Sequence, residues 1–132
     1  QADWQRARAF DIAANIHLKM RNPEEAAKQV AALQALALNQ EQTIALYLLN
    51  ARVLTAQKKT ADAKTELRKI IAIQNDFEPY YLYAGATVSL NQLNDPALAG
   101  EFIRKFNANK RGKAEWMLSR VKDMEKKIEI KK

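Results

Sequence analysis

One histidine, two serines and no cysteine set the limits of what this 132-residue chain can catalyse. Without cysteine there is no thiolate nucleophile, no disulfide and no sulfur ligand for a metal. His17 cannot build a zinc site without a second imidazole or a thiolate. Ser89 and Ser119 lie outside any Gly-x-Ser-x-Gly elbow, so no hydrolytic triad is spelled out. The adjacent carboxylates Glu24 and Glu25 follow Asn22-Pro23, where acids complement the positive end of a helix. Glycines at 85, 100 and 112 are too scattered for a phosphate-cradling loop. These residues imply no enzyme and no cofactor.

The elements that would position any site are helices. Only three glycines and three prolines interrupt a chain rich in Ala, Leu, Lys, Gln and Glu. Polar breaks predict helices near 3–20, 23–38, 41–57, 60–74, 78–93, 95–108 and 111–130. Asn22, Thr60 and Asp95 are the expected caps, with Pro23 and Pro96 at first helical positions. No segment alternates apolar and polar residues as a strand would. The class is all-α, read as a single domain over 1–132.

A repeat runs through these helices. Phe10, Tyr47 and Tyr83 open three lines of one pattern, 37 and 36 residues apart. Ala14, Ala51 and Thr87 follow four residues later, and His17, Leu54 and Leu90 three after that. The next helix carries Ala26, Ala63 and Ala99, then Val30, Leu67 and Ile103, then Leu33, Ile70 and Phe106. Small residues at fixed places let helices approach closely, and a single hairpin cannot cover its own apolar face.

This spacing resembles the tetratricopeptide family, with units near 4–38, 41–75 and 78–108 and a capping helix at 111–130. The resemblance implies an α-solenoid of about seven helices that acts as a scaffold or adaptor. The partner would be a protein, held as a peptide or helix in a concave groove. By resemblance the groove falls on Arg8, Asp11, Asn15 and Lys19, then on Ala45, Leu48, Arg52 and Thr55. In the third unit it falls on Tyr81, Ala84, Val88 and Asn91. Leu48, Ala84 and Val88 are the expected apolar anchor. The family's clamp for a terminal carboxylate is not implied, because Asp11 and Leu49 stand where Lys and Asn are needed. The chain opens on Gln1 and is read as a piece of a larger assembly, in the style of bacterial envelope and secretion proteins; its compartment stays open.

The charge is lopsided. Residues 1–103 balance eleven basic against eleven acidic groups, whereas 104–132 hold eleven against four, which is the whole +7. Met117, Val121, Met124 and Ile128 form an apolar stripe expected to dock on the sixth helix, with Trp116 read as core. Lys113, Arg120, Lys122, Lys126 and Lys127 form the opposite, basic face. That face caps the array or, as the alternative, binds RNA or an anionic membrane surface.

Overall fold

The computed structural model describes residues 3–131, and side chains from Trp4 to Glu129. Among these residues there are seven α-helices, one π-helical segment and no strand. They are α1 (Asp3–Lys19), α2 (Pro23–Gln34), α3 (Gln40–Ala56), α4 (Thr60–Ile71), α5 (Pro79–Thr87), α6 (Pro96–Ala108) and α7 (Glu115–Lys131). The π segment, Val88–Gln92, continues α5. The chain divides into two compact units, Gln1–Leu67 and Arg68–Lys132, with the boundary inside α4.

The repeat is written in the backbone as well as in the side chains. Arg21, Lys58 and Asn94 have φ of 58°, 64° and 50°, and they stand at the same register, eleven residues after Phe10, Tyr47 and Tyr83. In the first two repeats the left-handed residue closes the helix by paired bonds. Arg21 N–H donates to the Leu18 carbonyl (3.1 Å) and Asn22 N–H to that of His17 (2.8 Å). Lys58 and Lys59 do the same to Thr55 (3.0 Å) and Leu54 (2.8 Å). This double closure satisfies carbonyls that a helix end would otherwise orphan. In the third repeat the π segment shifts the bond, and Asp95 N–H reaches Ser89 instead (2.8 Å).

Start signals are resolved individually. Asp95 caps α6 by accepting from Leu98 N–H (3.0 Å). Asn22 makes no side-chain cap, and its amide is spent on closing α1. Thr60 is itself the first residue of α4, whose opening turn closes from Ala63 N–H to the Lys59 carbonyl (3.0 Å). The full capping box belongs to Asn39 and Gln42 at the head of α3.

In the first unit, Ala7, Ala14, Ala26, Val30, Leu33, Leu46, Leu49 and Val53 form the buried core. Leu36 and Leu38 pack against it, which explains why α2 stops at Gln34 although Ala35–Leu38 would suit a helix. The last turn tightens through Leu36 N–H to Leu33 (3.1 Å), and packing overrides propensity.

In the second unit the end of α4 is held by a side chain. The Lys105 ammonium donates to the carbonyls of Ile71 (3.1 Å) and Ile73, a cation placed at the negative end of a helix. Buried Asn109 fixes the following loop, its Nδ2 donating to the Phe77 carbonyl (2.9 Å) while its Oδ1 accepts from Arg111 N–H (2.8 Å). Gly85 lets α5 and α6 meet, since a Cβ there would stand 2.4 Å from the Phe102 ring. The nine second-helix repeat positions, from Ala26 to Phe106, are all buried.

Candidate functional site

In the first unit α1 and α3, with Leu33 of α2, border an open pocket of about 190 Å³ lined by Trp4, Ala7, Arg8, Asp11, Leu33, Gln42, Ala45 and Leu46. Helical spacing makes it. Trp4, Ala7, Arg8 and Asp11 are three or four residues apart and share a face, as do Gln42, Ala45 and Leu46 on α3. Ala7, Leu33 and Leu46 are core residues that form an apolar floor, and exposed Trp4 stands at the rim.

Behind Asp11 lies a network of side chains. Asn15 Nδ2 donates to the Asp11 carbonyl (2.8 Å) and to Asp11 Oδ1 (3.2 Å). Arg52 reaches across from α3, its Nη1 donating to Asn15 Oδ1 (2.8 Å). Burial raises the Asp11 pKa above the ordinary carboxylate value, against the lowering effect of the Asn15 bond and the Arg52 charge. A half-buried carboxylate therefore faces a pocket beside the exposed cation of Arg8. The arrangement offers one acceptor, one donor and an apolar floor, which can seat a single aliphatic side chain and its flanking backbone.

The sequence-predicted groove residues are only partly brought together. Arg8, Asp11 and Ala45 line this pocket, and Asn15 and Arg52 form the network behind Asp11. Exposed Lys19 lies in the last turn of α1, outside the lining. Thr55 spends its hydroxyl on the Ala51 carbonyl (2.7 Å). Tyr81 and Ala84 are half-buried. Leu48 and Val88, named as apolar anchors, are only 7% and 4% exposed, so neither presents a surface to a ligand. The sequence pattern missed Trp4, whose position four residues before Arg8 was the available signal.

The second unit has its own recess, of about 340 Å³, lined by Tyr83, Thr87, Asn91, Arg120, Asp123, Met124 and Lys127. It forms because α7 docks on α5 as well as on α6, where the stripe alone implied α6. Met117, Val121 and Met124 of the stripe are buried and Ile128 is half-buried. Trp116 is not core. It is 47% exposed, meets Tyr83 edge-on at 5.3 Å and lies 5.3 Å from the Arg120 guanidinium. Arg120 Nη1 also donates to the Tyr83 hydroxyl (3.1 Å).

The basic face is therefore smaller than the sequence implied. Lys113 is half-buried, giving its ammonium to the Asn109 carbonyl and lying 5.6 Å from the Phe106 ring. Lys122, Lys126 and Lys127 are exposed, as is Arg120 beside its aromatic partners.

Of the remaining candidates for chemistry, the two glutamates are paired. Glu25 pairs with Lys28 (2.9 Å), and Glu24 accepts from Gln57 Nε2 (3.3 Å). Half-buried His17 has a buried Nδ1 without a hydrogen-bond partner. Among the described residues no cluster of three His, Cys, Asp or Glu could hold a metal, and no helix is long and apolar enough to cross a membrane. Comparison with known protein families, with characterised proteins and with solved structures finds no match.

Proposed function

We propose that this chain is a tetratricopeptide-like adaptor module, a solenoid of helical hairpins that binds a segment of another protein. The observation that carries the reading is the pocket between α1 and α3, where Arg8, Asp11 and Ala45 meet Trp4 over an apolar floor. An open recess of about 190 Å³, smaller than most small-molecule sites, matches one aliphatic side chain. The flanking charges would orient the backbone that carries it. The raised Asp11 pKa is consistent with a binding role, because burial and a specific charge partner at a recess are the conditions under which functional carboxylates are found. The test uses peptide arrays of mixed sequence with an isolated Leu, Ile or Met. Ala45→Arg should fill the pocket and Arg8→Glu reverse its charge, each lowering affinity at least tenfold without changing the helical circular dichroism. Unchanged peptide binding in both variants would remove the pocket from the function.

A second reading, binding of RNA or an anionic membrane surface through α7, draws support from one feature. Exposed Trp116 beside Arg120 supplies a stacking ring next to a cation, and Lys122, Lys126 and Lys127 extend the charge. Binding to single-stranded RNA or anionic vesicles should then fall steeply with salt and be lost in Lys122→Glu/Lys126→Glu/Lys127→Glu.

A further inference from the structure

The solvent face of α1 repeats a seam that α3 uses for stacking. In α3, Leu46, Leu49 and Val53 fall at i, i+3 and i+7 and are 7%, 3% and 1% exposed. They are buried in one cluster with Ala7 and Ala14 of α1 and Ala26, Val30 and Leu33 of α2. One repeat earlier, 37 residues back, the same register holds Ala9, Ile12 and Ile16. Ala9 is exposed, and Ile12 and Ile16 keep 48% and 50% of their surface. Met20, 67% exposed, extends this apolar line at the end of the helix. Ile12 and Ile16 point away from Ala7, Ala14 and Leu18, which face the core.

From this juxtaposition we infer that Ala9, Ile12 and Ile16 form a docking seam for one further helical hairpin of this chain's own kind. The occupant is specified by what already covers the matching seam. It has small residues on its first helix and an Ala-x3-Val-x2-Leu stripe on its second, as in Ala26, Val30 and Leu33. A second copy stacked head to tail would not supply it. The outer face of the last helix carries exposed charges of both signs, Arg120, Lys122, Lys126 and Lys127 with Asp123 and Glu125, and no apolar stripe to set against the seam. The seam is separate from the α1–α3 pocket, and the inference stands or falls independently of the peptide-binding reading.

The test supplies the hairpin. A copy of residues 3–39 is placed directly ahead of Asp3, so that the repeat register and the Leu38-Asn39 connection are kept. The extended chain should gain helical signal in proportion to its length, unfold in one transition and melt roughly 5 °C or more above the parent. Ile12→Glu/Ile16→Glu in the original helix should abolish that gain. The same pair in the unextended chain should move Tm by no more than about 2 °C, because those side chains are half exposed already. The inference is overturned if the added segment is not helical, if Tm does not rise, or if the pair destabilises the unextended chain as much as the extended one. Sedimentation closes the remaining route. A dimer of the unextended chain that the pair dissociates would assign the seam to a second copy instead.

Discussion

One face of α1 and the corresponding face of α5 occupy one register of the repeat and solve it in opposite ways. In α1 that face carries Asp11 and Asn15, tied together and to Arg52 by side-chain hydrogen bonds. In α5 and its π segment the matching places hold Ala84 and Val88, half-buried and buried. The positions that recur, Ala26 with Ala63 and Ala99 or Leu33 with Ile70 and Phe106, are buried in both units and build the hairpins. Those that do not recur decide what each face is. The backbone follows from the periodic residues, and chemistry lives in the exceptions to them.

The largest effect should come where the second unit depends on close approach. Gly85→Ala puts a methyl 2.4 Å from the Phe102 ring and should cost about 1–3 kcal/mol in urea unfolding. Gly100→Ala meets nothing within 4 Å and should be neutral or stabilising by up to ~1 kcal/mol. Equal responses at the two glycines would mean that α5 and α6 do not approach as described. Asn109→Ala comes next. It leaves the Phe77 carbonyl without its buried donor, at a cost of about 1–3 kcal/mol.

The first unit is set apart by how it ends its helices. Lys58 holds a left-handed conformation that its Cβ disfavours, at a register where Asn94 is better suited. Lys58→Gly should therefore raise stability by up to about 1 kcal/mol, and Asn94→Gly by less. A loss at Lys58 in thermal melts would show that the side chain contributes more than its backbone costs.

Legibility follows the same division. Seven helices could be read from breaks and periodicity because those signals are local, and the buried nine positions of the second helices followed from spacing alone. The left-handed residues Arg21 and Lys58 carried no such signal, since neither is Gly or Asn. Trp116 looked like core because a large ring beside an apolar stripe usually is; its exposure depends on Tyr83 and Arg120, which lie far from it in sequence or on the adjoining helical turn. Lys113 looked like free charge, but a backbone carbonyl takes it. The Asp11–Asn15 spacing was visible as one turn of helix. That Arg52 would complete the network required the placement of α3 against α1.

The smallest effect tests that network through pH. Burial raises the folded-state pKa of Asp11 above its unfolded value, so ionising it costs the folded state more than the unfolded one. Its contribution is then favourable to folding while the group is protonated in both states, below the unfolded pKa of about 3.9. That contribution is lost as pH rises through the folded pKa, and at pH 7 a constant penalty remains. Asp11→Asn keeps an oxygen to accept from Asn15 and removes the charge. At pH 7 it should raise Tm slightly, by less than Lys58→Gly does, because half-exposure to water weakens the penalty. Near pH 3 the variant and the parent should melt together. A Tm difference that is flat from pH 3 to 7 would show that Asp11 titrates alike in both states. A variant less stable than the parent at pH 7 would show that the Arg52 charge outweighs desolvation, which makes Asp11 a structural ion-pair member. A gain at neutral pH coupled to weaker peptide binding would separate the two roles, because the same carboxylate would then cost stability and supply affinity.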